Sequence, residues 1–127
     1  MVILHHISGY EGFCKFVNDF EFKGKIVHVL FCGSKLPDGT NWCPDCVLAQ
    51  PAIEAALKVA GENTYFIHVE VGDKLFWKDP NCPFRKDPRT RLMVIPTLIR
   101  WGCPQRLEGE KLFKQELVEM LLTDDEC

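Results

Sequence analysis

The run from Ile26 to Cys32 constrains the fold more than any other part of this sequence. It is almost wholly apolar and rich in β-branched residues, without the alternation that marks a strand with one face in water. A strand of this kind lies inside a sheet and is covered on both faces. The run therefore predicts a layered α/β domain with this strand at the centre of its sheet.

Helical and strand patterns alternate on both sides of this run. Ser8 and Glu11 form a possible capping box before an apolar stripe, and Gly61 can end a helix that begins at Pro44. The patterns predict helices at about residues 9–22, 44–60 and 110–122, and strands at 65–71, 92–95 with 97–101, and 105–107. The helix at 44–60 would join parallel strands, and the last two strands would form an antiparallel pair. No element is predicted for the first seven residues.

The polar stretch from Gly72 to Arg91 has no clear periodicity. It contains several prolines, and we interpret it either as an ordered insertion or as a lid. Trp77 and Phe84 are large apolar residues in this polar setting, so we expect them to anchor the stretch to the core.

Length, charge and composition exclude several classes of protein. With 127 residues, 46% of them hydrophobic, the chain can bury its own core, so we expect one domain over residues 1–127. The net charge is −3 and the lysines and arginines are scattered, which argues against nucleic acid or a membrane surface as a partner. The N-terminal residues do not resemble a secretory signal, and no stretch is apolar enough to span a membrane. We therefore expect a cytoplasmic protein, and a monomer.

The strongest chemical signal is the segment Trp42-Cys43-Pro44-Asp45-Cys46, which follows the buried strand and opens a helix. Pro44 suits the first helical position, so Cys43 meets the unpaired N–H groups and the positive end of the helix dipole. Thiols in this setting have pKa values of about 3.5 to 7.5, against roughly 8.5 for free cysteine. We predict Cys43 as the nucleophile and Cys46 as the thiol that resolves the mixed disulfide. Asp45 disfavours the thiolate by its charge and is a candidate carrier of the resolving proton.

Other interpretations of these residues stay open. Half of a zinc site has the same cysteine spacing, but structural zinc normally takes four ligands, and the four histidines have no convincing ligand spacing. We therefore predict no metal, and a coincidental pair is the other alternative. Trp42 has two interpretations of equal weight: it covers the helix start, or it gives an apolar surface on which a substrate packs.

Two further features make the chain resemble the thioredoxin superfamily. Pro51 follows Cys46 by five residues, as does the proline that kinks the active-site helix of thioredoxins. The segment Val94-Ile95-Pro96-Thr97-Leu98 is similar to the cis-proline segment of the superfamily, although without the resemblance an ordinary trans proline would be favoured. A cis bond at Pro96 would bring the backbone of Ile95 beside the sulfurs, where it could pair with an extended substrate.

Within the superfamily, the chain is similar to the family of the 14-kDa thioredoxin-related protein, also called thioredoxin domain-containing protein 17. The motifs that carry the similarity are Gly33-Ser34-Lys35, Trp42-Cys43-Pro44-Asp45-Cys46, Val71-Gly72, Trp77-Lys78-Asp79-Pro80-Asn81, Phe84-Arg85-Lys86 and Val94-Ile95-Pro96-Thr97-Leu98. The similarity spans essentially the whole chain. The resemblance implies a thioredoxin-like fold of three layers, α/β/α, with a mixed central sheet in a single domain.

The resemblance also implies an activity. It implies a cytosolic disulfide reductase that holds no bound cofactor and is recycled by thioredoxin reductase with electrons from NADPH. The implied substrates are cystine or selected protein disulfides, a narrower range than that of thioredoxin, and Trp42 and Ile95 would contact them. Peroxide reduction, and a signalling role as a redox-switched binding module, are the alternatives.

Some residues depart from the thioredoxin pattern. Thioredoxins carry a buried aspartate that acts on the resolving cysteine, and the position that we align with it here is Val29. Proton handling must therefore differ. Outside the motif, we expect Cys14 and Cys32 to be buried core thiols and Cys127 to be an exposed thiol in the tail.

Overall fold

Strands and helices alternate along the chain in the computed structural model, which describes residues 2–124 and 126. The helices, apart from a 3₁₀ helix at Gly109–Phe113, are α1 (Gly9–Asp19), α2 (Pro44–Leu57), α3 (Lys74–Lys78), α4 (Pro83–Lys86) and α5 (Gln115–Thr123). The strands are β1 (Ile3–Ser8), β2 (Ile26–Cys32), β3 (Thr64–Glu70), β4 (Thr97–Arg100) and β5 (Arg106–Glu108).

The strands form one mixed sheet of five, in the order β1-β3-β2-β4-β5. The central strand is β2, which is parallel to β3 and antiparallel to β4. At the edges, β1 is parallel to β3, and β5 is antiparallel to β4. The central position of β2, the parallel pair joined through α2 and the antiparallel pair near the C-terminus are all confirmed.

Different helices cover the two faces of this sheet. On one face Phe13 of α1 packs on Phe31 of β2, with ring centroids 5.5 Å apart, and on Phe84 of α4, at 5.7 Å. On the other face α2 packs on the sheet, and Ile53 of α2 and Leu30 of β2 line the same cavity. Both faces of β2 are thus buried, which is why its sequence lacks alternation. The three-layer α/β/α arrangement is confirmed.

The edge strand β1 was not predicted. Its side chains are mostly exposed, so its sequence shows no buried face. It is held by backbone pairing with β3, in a register that runs from Ile3 opposite Tyr65 to Ser8 opposite Glu70. Pairing of this kind depends on the neighbouring strand rather than on local sequence, which is why the pattern missed it.

Several predicted helix boundaries are wrong. α1 ends at Asp19 because Phe20 is already extended, and Ser8 forms no side-chain cap, so the capping box is absent there. α2 ends at Leu57, before the predicted residue 60. The predicted C-terminal helix is divided into the 3₁₀ helix and α5, because Lys114 between them has an extended backbone.

The stretch from Gly72 to Arg91 is an ordered insertion that contains α3 and α4. Asp73 caps α3 by accepting a hydrogen bond from the backbone N–H of Phe76 at 2.8 Å. Trp77 and Phe84 are both buried in the hydrophobic core. Their predicted role as anchors is therefore confirmed.

The remaining predictions concern the outlying cysteines and helix length. Cys32 is buried as predicted, whereas Cys14 is only partly buried, and Cys127 lies outside the described residues. Across the residues that the structure describes, no helix combines the length and the apolar character needed to cross a bilayer.

Candidate active site

Cys43 is the N-cap residue of α2, and Pro44 is the first residue of the helix. The Sγ of Cys43 accepts a hydrogen bond from the backbone N–H of Cys46 at 3.2 Å, in the way that a capping oxygen usually does. An N–H of the first helical turn therefore points at the sulfur. This bond and the helix dipole both favour a negative charge on Cys43.

The thiol of Cys46 disfavours a negative charge on Cys43. The pKa of the Cys43 thiol lies well above its usual range, first because of its side-chain hydrogen bond with Cys46 and then because of burial, and the carboxylate of Asp45 adds to the rise. This direction is opposite to the one expected from the helix start alone. The reason is that the Cys43 thiol forms a hydrogen bond with the Cys46 thiol that favours the protonated form of Cys43, and two adjacent thiolates would also be like charges side by side. Cys43 therefore holds its proton more firmly than a free cysteine does.

A third thiol lies behind Cys46. The pKa of Cys46 is raised to about 12, first by its side-chain hydrogen bond with Cys32 and also by burial, while the hydrogen bond with Cys43 works in the other direction. The sequence assigned Cys32 only to the core. The available signal was the alternation along β2, which puts Leu30 and Cys32 on the face toward α2.

The same alternation corrects the position that we aligned with the buried aspartate of thioredoxins. Leu30, Cys32 and Cys46 line one cavity, so the strand face toward the resolving cysteine carries Leu30 and not Val29. Val29 lies on the opposite face and is buried there. Since leucine titrates no more than valine does, the expectation that proton handling differs from thioredoxins is unchanged.

Asn41 fixes the turn into α2, and sequence reasoning missed it. Its Oδ1 accepts a hydrogen bond from the Cys43 N–H at 2.9 Å, and its Nδ2 donates to the carbonyl oxygen of Gly33 at 2.8 Å. The first bond spans two residues, which is the pattern of an Asx turn. An asparagine two residues before the cysteine was the signal that could have found it.

Trp42 has a structural role in the active-site turn, while its predicted role as a cover for the helix start stays a prediction. Its Nε1 donates to the carbonyl oxygen of Gly72 at 2.9 Å, so it ties the active-site turn to the insertion. Its ring lies so close to Gly33 that a Cβ on that glycine would be 2.7 Å from Cε2. Trp42 also lines a groove with Cys43. Its role as an apolar surface for substrate also stays a prediction.

The segment before β4 forms the other side of the site. The Ile95–Pro96 peptide bond is cis, and the carbonyl oxygen of Ile95 lies 4.0 Å from the Sγ of Cys43. Residues 92–95, which the pattern predicted as a strand, form none, and β4 begins at Thr97. The backbone of Ile95 therefore lies beside the sulfur and outside the β4 ladder.

A groove of about 650 Å³ opens over Cys43. Its walls come from the active-site turn, the insertion and the segment before β4. Within the insertion, the Nε of Arg85 donates to the carbonyl oxygen of Trp77 at 2.7 Å, and its guanidinium lies 4.0 Å from the centroid of the Trp77 ring. Arg85 also links the insertion to the segment before β4, because its guanidinium donates to the carbonyl oxygen of Met93 at 3.4 Å. The insertion is thus a fixed wall of the groove.

The side chains at the groove offer sulfur, carboxylate and guanidinium groups. Over residues 2–124 and 126, no group of three or more His, Cys, Asp or Glu side chains could hold a metal ion. Two adjacent thiols support exchange with disulfides. The geometry thus brings together Cys43, Cys46, Asp45, Ile95 and Pro96, all of which the sequence predicted as site residues.

The family model described as thioredoxin domain-containing protein 17-like, thioredoxin domain, matches residues 6–124. The chain belongs to this family. Thioredoxin domain-containing protein 17 of Danio rerio is 46% identical over 119 residues, and that of Homo sapiens is 41% identical over 119 residues; each match covers 94% of this chain and 94% of the relative. Thioredoxin-like protein Clot of Oryza sativa subsp. japonica is 43% identical over 84 residues, which cover 62% of this chain and 60% of that protein.

Solved structures support the fold of this thioredoxin domain-containing protein 17-like chain. Chloroplastic thioredoxin z superimposes with a TM-score of 0.55 over 96% of this chain and 93% of that one, at 14% sequence identity. The thioredoxin fold and the family that the motifs indicated are therefore both confirmed. For an enzyme of this family, thiol-disulfide exchange is the general chemistry that the relationship suggests.

Proposed function

We propose that the protein reduces disulfide bonds, with Cys43 as the nucleophile and Cys46 as the resolving thiol. The observation that carries the proposal is the position of the Cys43 Sγ. It accepts the N–H of Cys46 at 3.2 Å, and it lies 4.0 Å from the carbonyl oxygen of Ile95 at the base of an open groove. A disulfide in the groove would meet this sulfur first.

In the first step, the thiolate of Cys43 attacks one sulfur of the substrate disulfide. The substrate S–S bond breaks, a mixed disulfide forms on Cys43, and the other substrate sulfur leaves with the electron pair and takes up a proton. The N–H of Cys46 stabilises the attacking thiolate, whereas the Cys46 thiol and Asp45 oppose it. At most one of the two sulfurs is therefore ionised at a time.

In the second step, Cys46 displaces the substrate. Once Cys43 is part of a mixed disulfide, its hydrogen bond with Cys46, which favours a thiolate on Cys46, is lost, while the hydrogen bond with Cys32 and burial still oppose that thiolate. A base must therefore take up the proton of Cys46. The thiolate of Cys46 then attacks the Sγ of Cys43, the second substrate thiol leaves, and a Cys43–Cys46 disulfide remains. Asp45 is exposed at the groove and remains our candidate for carrying the proton that Cys46 gives up.

The oxidised pair must be reduced again by two electrons. We assign this step to thioredoxin reductase with NADPH, in the cytosol, with no cofactor bound to this chain and with the chain acting as a monomer. The wall formed by Trp77 and Arg85 restricts the approach to Cys43, which favours cystine or selected protein disulfides over a broad range of substrates. Ile95 and Trp42 would contact those substrates. We expect nucleic acid and membranes to have no part in the reaction.

A second candidate function is that of a redox-switched binding module. Exposed apolar side chains line the groove, among them Met93 and Val94, and they offer a surface for a protein partner. A module keeps its partner when Cys43 and Cys46 are both serine, whereas a reductase then loses its activity. Peroxide reduction would use the same Cys43 thiolate and would leave a sulfenic acid on it.

Consumption of NADPH in the presence of thioredoxin reductase and cystine tests the proposal. The wild-type protein should support it, and Cys43→Ser should not, whereas the control Cys14→Ser should keep the wild-type rate because Cys14 lies outside the groove. Cys46→Ser should accumulate mixed disulfides through Cys43. Equal rates for wild type and Cys43→Ser would remove the role that we assign to that thiol.

A further inference from the structure

Cys32 is a buried thiol that takes no part in the two steps described above. It is the last residue of β2, and on the face toward α2 it lines a cavity of about 600 Å³ together with Cys46. Both residues are only 5% exposed. Dissolved oxidants therefore have little access to Cys32, and its chemistry is limited to the groups that it contacts inside the protein.

The end of β2 contacts the resolving thiol. The side chain of Cys46 forms a hydrogen bond with that of Cys32, and the backbone of Gly33, the next residue, forms another hydrogen bond with Cys46. Two more free thiols are described, Cys14 on α1 and Cys82 before α4, and both lie outside the lining of the cavity. Cys32 is thus the thiol outside the motif that lies beside the active-site pair.

Cys32 and Cys43 lie on different sides of Cys46. Cys43 opens on the substrate groove, whereas Cys32 and Cys46 line the cavity behind it. In thiol-disulfide exchange, a thiolate attacks one sulfur of a disulfide and the other sulfur leaves. Once Cys43 and Cys46 are joined, Cys32 can therefore approach Cys46 from the cavity side while Cys43 leaves toward the groove.

We propose that Cys32 exchanges into the active-site disulfide and forms a second disulfide, Cys32–Cys46, with release of Cys43. The inference rests on the proposed function, in which the Cys43–Cys46 disulfide is the product. The thiolate of Cys32 attacks the Sγ of Cys46, and the Cys43–Cys46 bond breaks. Cys43 leaves with the electron pair and takes up the proton that Cys32 has lost. One disulfide and one thiol are present before and after, so the step needs no further oxidant.

The surroundings of the three sulfurs suit this step. The backbone N–H of Cys46, which points at the Cys43 sulfur in the reduced pair, stabilises Cys43 as a leaving thiolate. The cavity beside Cys32 and Cys46 leaves space for the two buried sulfurs to move together.

The exchange changes what the protein does to a substrate. In the exchanged form Cys46 is bonded to Cys32 and cannot resolve a mixed disulfide. Cys43 is a free thiol again, so it captures a second substrate and keeps it bound. The exchange therefore converts the reductase into a covalent trap until the second disulfide is reversed or reduced.

A time course with diamide, which oxidises dithiols, tests the exchange without any substrate. Samples would be quenched in acid, labelled with N-ethylmaleimide and digested with pepsin at acidic pH, where thiolates are scarce and exchange stops. Mass mapping should find Cys43–Cys46 first and Cys32–Cys46 later, at the expense of the first disulfide. The label should then be lost from Cys32 and appear on Cys43.

Two alanine variants control this time course. Cys32→Ala lacks the attacking thiol and should form Cys43–Cys46 alone. Cys82 is also buried and free but lies outside the cavity, so Cys82→Ala should give both disulfides in the wild-type order. A wild-type protein that holds only Cys43–Cys46 at every time would overturn the proposal, and so would Cys32–Cys46 that forms before the other disulfide.

Cystine in place of diamide separates this proposal from the proposed function. With excess cystine, the wild-type protein should retain a cysteine bound to Cys43, and Cys32→Ala should retain none because its Cys43 stays in the pair. If cystine oxidises neither protein while diamide gives both disulfides, the reductase proposal fails and the exchange stands. If cystine forms Cys43–Cys46 in both proteins and the wild type carries no adduct, the reductase proposal stands and the trap fails.

Discussion

The side chain of Asn41 holds the backbone of Cys43 by accepting its N–H at 2.9 Å. The other end of the same amide donates to the carbonyl oxygen of Gly33 at 2.8 Å. The end of the central strand and the start of the active-site helix are therefore joined through one side chain. The position of the reactive sulfur thus depends on a residue outside the cysteine motif.

Replacing Asn41 tests this dependence. Asn41→Ala leaves the Cys43 N–H and the Gly33 carbonyl without their partners, which should lower the free energy of unfolding by about 1–3 kcal/mol. We also expect kcat/KM for cystine to fall about tenfold, because the sulfur loses its fixed position. Urea denaturation and the coupled NADPH assay measure the two effects. Asn41→Asp keeps the acceptor for the Cys43 N–H and should lose less of both; wild-type behaviour in Asn41→Ala would contradict the role.

Removing the side chain of Cys46 should make Cys43 more reactive toward alkylation at neutral pH. The side-chain contact with Cys46 is the largest cause of the raised pKa of Cys43, and the backbone N–H that favours the thiolate remains in Cys46→Ala. A lower pKa means more thiolate at a given pH, so the rate of reaction with iodoacetamide at pH 7 should rise by roughly tenfold or more, and its pH profile should move toward lower pH. Peptide mass mapping assigns the reaction to Cys43. Asp45→Asn should move the profile in the same direction by less, and an unchanged profile in Cys46→Ala would show that the pair is not coupled.

Gly33→Ala should disturb the site through a steric clash. A Cβ at this position would lie 2.7 Å from Cε2 of Trp42 and 2.9 Å from Oδ1 of Asn41, two side chains that are both fixed by hydrogen bonds. We expect a loss of about 1–3 kcal/mol in the free energy of unfolding, together with a change in Trp42 fluorescence. Gly61→Ala is the matched control, since its Cβ would come no closer than 3.8 Å to another side chain. Equal stability of the two variants would argue against the packing of Trp42 on Gly33.

His28 should make the fold sensitive to acid. Burial, helped by the charge of Arg100, lowers the pKa of His28 to about 4, whereas an unfolded chain has the ordinary value of 6.5. Below pH 6.5 the His28 ring therefore binds a proton in the unfolded state but not in the folded state. The free energy of unfolding is lowered as the pH falls toward 4. The loss should reach about 2–3 kcal/mol at pH 4.5. His28→Phe should remove this part of the pH dependence in urea denaturation at pH 7 and pH 4.5; the same pH dependence in both proteins would contradict it.

Some of the fold was predictable because it depends on short-range patterns. The run from Ile26 to Cys32 indicated the central strand, because burial of both its faces makes nearly every residue of the run apolar. The start of α2 was also predictable from local sequence, because proline is favoured at the first position of a helix and Pro44 lies between the two cysteines. Edge strand β1 shows no such apolar pattern, because its stability comes from pairing with β3.

The residue types and their spacing, taken alone, determined the cysteine pair, the family and the layered α/β architecture, because hydrophobic pattern and helix-start chemistry act between neighbours in the chain. Tertiary structure alone decided three contacts: that of Cys32 with Cys46, the hydrogen bond from Asn41 to Gly33, and the short distance between the Ile95 carbonyl oxygen and the Cys43 sulfur. It also decided the direction in which the pKa of Cys43 moves. Contact, burial and electrostatic coupling depend on distance in space, and these residues meet only when the sheet and α2 have packed together.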